Sequence, residues 1–349
     1  MRSSNRRWES SEPAAAGTDS GGSTREARPR EQWMDVLRGT AAVLIVLSHA
    51  LVLPQVYGNS GTPEWALTVD GLVAPFRIPT LMFLSGMLLG PSLAKGPRRY
   101  AVGKLRNIAW PYLVWVAVFG ALSWPVWSVA GAVLGGSYLW FLLFLLIYYA
   151  AAWGLRRVPP LLVVALAFGG SVLAPDGSKF GERLLYLFAV FMAGYLVATR
   201  RRWLAALVSS RWTLVAAVIA AVVHVVSPLE YGYGPQSVLI TAAGVVLLAR
   251  ASRGVADHRA MLPLRFAGRN SIVFYVSHYP VIAVVVTVAS VVGMDTWGAT
   301  AVLGAVVALT VATLLSLLRP HSLVSWLFTF PARGPGPAVQ TQPDARRSG

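Results

Sequence analysis

From residue 33 to residue 318, long uncharged runs alternate with short charged clusters. Runs near 35–55, 70–90, 107–125, 137–154, 160–174, 184–199, 212–228, 236–250, 271–291 and 298–318 read as helices that cross a bilayer. A comfortable crossing takes about 20 apolar residues, so the 160–174 and 184–199 pair and the 236–250 run are the weakest of the ten. Residues 107–155 hold no charge in 49 positions, enough for two spans and a connection, with breaks at Trp124-Pro125 and Gly135-Gly136. Residues 1–32 are rich in Arg, Ser, Glu, Pro, Ala and Gly and lack the apolar stretch of a signal peptide; they read as a disordered basic tail. Residues 331–349 form a similar tail. No internal repeat is visible. The expected fold is all-α, a polytopic membrane protein of about ten helices.

Charge fixes the direction of the spans. With the N-terminus placed in the cytoplasm, the segments 1–38, 91–106, 155–159, 200–211, 250–269 and 319–349 hold 27 of the 30 Lys and Arg residues. Only Lys179 and Arg183 fall outside, and Arg77 falls within a span. Cytoplasmic loops of membrane proteins carry this excess, so ten spans with both termini cytoplasmic are expected, and the location is a cell membrane. The net charge of +16 is thereby explained without nucleic acid. Charged residues make up 13% of the chain against about 25% in soluble domains, which again points to a membrane protein.

Against this apolar background the buried polar groups stand out. The first span contains Arg38 and His49. Eleven residues apart on a helix, they share one face to within about 20° and lie about 16 Å apart along the axis. A charged side chain deep in a bilayer costs roughly 2.5–3.5 kcal/mol, so such groups are functional candidates. The alternative is a snorkelling arginine and a histidine that bonds a neighbouring helix. Arg77 lies between Pro75 and Pro79, where it orients a polar substrate in a wet cavity, pairs with an acid, or snorkels outward. His278, eight residues into the ninth span and just before Pro280, is either chemistry or an interhelical hydrogen bond. His224, Glu230, Trp65, Asp70 and Asp295 could rim an external cavity, though ordinary interface positions explain them equally well. His258 and His321 fall in cytoplasmic segments. On the cytoplasmic side Arg38, Arg98, Arg99, Lys104 and Arg106 could meet a polyanion or act only as positive-inside anchors.

Several chemistries are excluded. With no cysteine there is no disulfide, thiolate metal site or acyl-cysteine intermediate. The five histidines show no H-x-x-x-H spacing, so no metal site is expected. No H-x-x-x-x-D occurs, since Pro54, Leu229, Pro263, Ala283 and Trp326 stand five residues after the histidines. Neither a G-x-S-x-G elbow nor a phosphate-binding P-loop is present.

An ordered set of motifs is more specific than any single residue. Trp33-Met34-Asp35, Leu37-Arg38-Gly39 and Ala41 precede His49, giving Arg-x10-His in the first helix. Phe76-Arg77, Pro79, Phe83 and Ser85-Gly86 follow in the second, and Lys104-x-Arg106 comes before Pro111-Tyr112. Leu139-Trp140-Phe141-Leu142 and then Asn270-Ser271, Tyr275, His278 and Pro280 complete the series. In these residues the chain resembles the integral-membrane acyltransferase family 3 over about 33–318, which implies an acyltransferase-3-like domain over 33–320. One departure is that Arg98-Arg99 and Lys104-x-Arg106 stand where many members carry Arg-x-x-Arg.

The resemblance implies an O-acyltransferase that moves an acyl group, acetyl foremost, from acyl-CoA to a hydroxyl of a sugar, cell-surface glycan or metabolite. No bound cofactor is expected, with acyl-CoA as donor substrate, and the partners are that donor, the acceptor and the lipid bilayer. Donor phosphates would meet Arg38, Lys104 and Arg106. His49 would be the general base, with Arg77 and His278 assisting, and Asp35, Asn270, Ser271 and Tyr275 would orient the site. The competing class is a multi-pass carrier of a glycan, lipid or small molecule, which buried Arg and His would also serve. No pair of similar halves supports it.

Overall fold

The computed structural model describes residues 31–122, 137–226 and 232–330, and the tails, Glu230 and the breaks at 124–125 and 135–136 lie outside that range. Among the described residues every regular element is helical. Seven helices among the described residues are long and apolar enough to cross a membrane: α1 Gln32–Tyr57, α2 Glu64–Met87, α3 Pro97–Leu122, α6 Lys179–Thr199, α9 Pro235–Val255, α11 Ser271–Val291 and α12 Trp297–Leu318. Three shorter apolar helices are α4 Trp140–Gly154, α5 Pro160–Leu173 and α8 Arg211–Val226. Two others, α7 Arg201–Ser209 and α10 Leu262–Arg269, carry basic residues. Short Ser322–Trp326 is α13.

The ten apolar runs therefore all fold as helices, but their lengths redistribute. Two of the three weakest runs gain length: α6 takes in a π turn over Lys179–Arg183 at its start, and α9 gains mainly at its end, running from Pro235 to Val255. The largest displacement is in α3. Its run was expected to begin at residue 107, with the basic cluster in a preceding loop. Instead the helix starts at Pro97 and passes through a π turn at Leu105–Ala109, so that Lys104 and Arg106 are helical.

The first helix is the hub. α1 packs against α2, α9, α10, α11 and α12, and its Leu37, Val46, Ala41, Ala42 and Ala50 are buried. Close approach explains two glycines: a Cβ at Gly39 would strike the Leu264 carbonyl, and one at Gly268 would strike the Asp35 carbonyl, so α1 and α10 touch backbone to backbone. The second layer is aromatic, with Tyr148, Tyr186, Phe144 and Phe191 fully buried between α4 and α6. Large apolar side chains remain exposed on α5, α8 and α12, including Leu161, Leu166, Ile219, Val302 and Val306. Helices that keep their backbone bonds internal and show such faces are built to meet lipid.

Candidate functional site

Prolines open the helices where the site forms. Pro280 has no N–H to give to the Val276 carbonyl one turn earlier on α11. That carbonyl accepts a 2.5 Å bond from the Tyr138 hydroxyl instead, while Tyr275 donates back to the Tyr138 carbonyl at 2.5 Å. This reciprocal pair fastens the start of α4 to α11. Tyr138 also stacks on Tyr279 at 4.6 Å and 7°, and Phe119 closes edge-on against both rings. His278 is fully buried beside these rings.

His49 on α1 faces His278 across the helix interface. The two rings lie 4.9 Å apart, nearly edge to face, and His278 Nε2 is 3.3 Å from His49 Nδ1. The remaining partners assign the protons. His278 Nδ1 lies 3.1 Å from the Phe274 carbonyl, which can only accept, so Nδ1 carries the hydrogen and neutral Nε2 is an acceptor. His49 Nδ1 lies 2.9 Å from the Ile45 carbonyl, so it too is protonated and its N–H is shared between Ile45 and His278. The lone pair of neutral His49 then sits on Nε2. Two histidines 229 positions apart thus form a directed pair whose free end is a base.

A second polar group lies against the first. Arg77 on α2 gives Nη1 to Asp70 Oδ1 at 2.6 Å, and the Ser48 hydroxyl donates to the same oxygen. Arg77 therefore pairs with an acid seven residues earlier, one of the outcomes left open above, and Asp70 is its partner and not part of a separate rim. Asp70 and Arg77 are the charged side chains whose fields reach His49. Arg77 Nε is buried with no hydrogen-bond partner, and so is Thr80 Oγ1 one turn along α2. Both are polar atoms that a substrate oxygen could satisfy.

The other candidate residues divide by location. At the end of α1 carrying Arg38, the buried Asp35 carboxylate is held by Arg269 Nε at 3.2 Å. Lys104 places its Nζ 3.3 Å from the centre of the Tyr149 ring and 3.3 Å from Ser92 Oγ. The Arg38 charge also reaches Tyr149, so Arg38 and Lys104 converge there. Arg106 does not join them: its Nε donates to the Phe330 carbonyl at 3.1 Å, and it lines a 420 Å³ cavity with Arg98 and Arg99. Arg99 and Lys104 line a neighbouring cavity of 140 Å³. Asn270 donates to the Phe266 carbonyl and its own carbonyl receives Val273 N–H, so Asn270 and Ser271 form the joint between α10 and α11.

Among the residues suspected of rimming an outer cavity, His224 is buried and bonds the Leu72 carbonyl at 3.0 Å. Trp65 meets Trp297 edge-on between two helices, and Asp295 accepts from Asn59 at 3.3 Å between two connecting segments. His258 and His321 are exposed. Tyr138 and Tyr279 were missed by the sequence reading; the signal was the orphan carbonyl that Pro280 implies. No cluster of three or more His, Cys, Asp or Glu suited to a metal occurs among the described residues.

An acyltransferase domain, Acyl_transf_3, matches residues 31–318. The chain belongs to the acyltransferase-3 family. No curated protein and no solved structure matches it. The matched stretch contains His49, Arg77, Lys104 and His278, so the histidine pair, the Arg77–Asp70 pair and Lys104 lie inside the acyltransferase-3 domain. It ends before the 319–330 segment that contacts Arg106.

Proposed function

We propose that the protein is a ten-span O-acyltransferase of the cell membrane, with both termini cytoplasmic. It transfers an acyl group, acetyl foremost, from acyl-CoA to a hydroxyl of a carbohydrate, cell-surface glycan or secondary metabolite. The observation that carries the mechanism is the His49–His278 pair, which leaves a basic nitrogen on His49. Family membership supports the reaction class, and the charge asymmetry supports the topology.

The donor enters from the basic end. Its phosphates meet Arg38 and Lys104, with Arg106 and the Arg98–Arg99 cavity beside them, and its thin arm runs along α1. About 16 Å of helix separates Arg38 from His49. There His49 Nε2 takes the proton of the acceptor hydroxyl as its oxygen attacks the thioester carbon. The new C–O bond puts negative charge on the former carbonyl oxygen. Arg77 Nε–H and the Thr80 hydroxyl are the unspent donors for that oxyanion. Collapse breaks the C–S bond, and the imidazolium returns its proton to the departing thiolate, leaving an ester and CoA–SH. His278 Nε2 accepts from His49 Nδ1–H throughout and stabilises the imidazolium between the two transfers.

General-base assistance is worth about 10²–10⁴-fold. His49→Ala in proteoliposomes supplied with labelled acyl-CoA and a hydroxyl acceptor is expected to lose transfer by that factor while eluting as a folded protein. Wild-type turnover in this variant would refute the assignment.

A further inference from the structure

Only three Lys or Arg residues escape the segregation of positive charge to one end, and one of them, Arg77, is neutralised by Asp70. The other two, Lys179 and Arg183, belong to the first turns of α6. Arg183 lines a cavity of 550 Å³ together with Asp176, Glu182, Tyr233 and Gln236, at the end of the bundle opposite Arg38. Its guanidinium carbon lies 5.5 Å from the centre of the Trp140 ring and 5.5 Å from that of Tyr233. Lys179 Nζ lies 6.0 Å from the same Trp140 ring. No carboxylate pairs with Arg183 among the described residues. The neighbouring Glu182 is buried, and its Oε2 is taken by the Gly177 N–H at 2.5 Å.

One wall of the cavity is linked to the polar cluster beside His49. Tyr233 stands in its wall, outside the spans, where burial pushes the phenol above its usual range while the Arg77 charge and hydrogen bond oppose the rise. Arg77 and Asp70 in turn adjoin His49. One aromatic side chain therefore has the cavity on one side and the catalytic polar cluster on the other.

We propose that this cavity is the acceptor subsite and that it selects an anionic sugar, a hydroxylated ring bearing a carboxylate or phosphate. The anion meets Arg183, which presents a planar fork suited to either group. The ring lies against Tyr233, and a hydroxyl is directed past it toward His49. The inference rests on the acyl-transfer reading above and deepens it.

The test compares methyl glucoside, methyl glucuronide and methyl glucoside 6-phosphate as acceptors in proteoliposomes, reading kcat/KM for each. The wild type is expected to favour at least one anionic probe by tenfold or more, and the preferred probe separates carboxylate from phosphate. Arg183→Gln should reduce the anionic-to-neutral ratio by at least tenfold, and Arg183→Lys should restore part of it. In parallel, the preferred probe should raise the melting temperature of the wild type and not that of Arg183→Gln, which reads binding without turnover. No preference in the wild type, or a ratio and a melting shift that survive Arg183→Gln, overturns the inference. If acyl-CoA is consumed with none of these or any other hydroxyl compound, it is the transfer reading that fails.

Discussion

The strongest demand of the proposed mechanism is that His278 acts only through His49. Replacing His278 with alanine removes the acceptor 3.3 Å from His49 Nδ1. In the ground state that bond is ordinary, because Ile45 shares the same N–H at 2.9 Å. In the transition state His49 is an imidazolium, and a hydrogen bond to a charged group is worth about 1.5–3 kcal/mol. The loss converts to roughly 10–150-fold in kcat. It falls on kcat and not on KM for the donor, since His278 acts through His49 and is given no contact with the donor itself. His278→Gln carries an amide oxygen near the position of Nε2 and should recover most of the rate.

The assay can be direct, because the chain has no cysteine and a thiol reagent reports only the CoA released. In a His49→Ala background, His278→Ala should have no further effect, because the pair acts as a unit. Full additivity of the two substitutions would refute the directed pair. So would an alanine variant at 278 slower than one at 49, or a glutamine variant no better than alanine.

Two further outcomes follow from the same geometry. Asp70→Asn should destabilise the detergent-solubilised protein by an amount near or below the low end of about 3–5 kcal/mol, since the Asp70 side chain keeps 23% exposure; a thermal unfolding series checks this. The double variant Arg77→Met/Asp70→Leu should regain much of that stability but not the activity, because the Nε donor is gone. Lys104→Met should raise KM for acyl-CoA roughly 10-fold or more, as loss of a charge-assisted bond to phosphate implies. Its KM for an acyl-pantetheine, which lacks those phosphates, should stay put; equal shifts for both would reduce Lys104 to a structural contact with Tyr149.

Much of this was legible in the sequence wherever the information is local. Arg38 and His49 share a face by counting residues, and Asp70 and Arg77, seven apart, could have been paired by the same arithmetic. The family is written in five ordered motifs, because each sits on one helix. The pairing of His49 with His278 is not readable that way, since it depends on which helices become neighbours. Span lengths failed for a related reason. A hydropathy run ends at the first charge, yet α3 carries Lys104 and Arg106 through a π turn into its basic end, where tertiary partners accept them.

That π turn and the kink at Pro280 solve one problem in the same way, and the likeness explains why the chain continues past its matched domain. In the π turn Trp110 N–H bonds the Leu105 carbonyl, five residues back. The next bond of that pattern would run from Pro111 to Arg106, and Pro111 has no N–H. The stranded Arg106 carbonyl instead accepts from Phe330 N–H at 3.2 Å, and Arg106 Nε returns a bond to the Phe330 carbonyl. Trp110 and Trp115 extend the seam by donating to the Trp326 and Leu327 carbonyls, with Phe328 fully buried beneath. A carbonyl left bare in an apolar environment costs on the order of 1–3 kcal/mol, so each broken helix needs its outside donor. On α11 that donor is Tyr138, and it fixes the register of the helix that holds His278. On α3 it is the segment after α13, and it fixes the helix that holds Lys104. Both ends of the proposed donor path are therefore set by hydrogen bonds that a regular helix would never have offered.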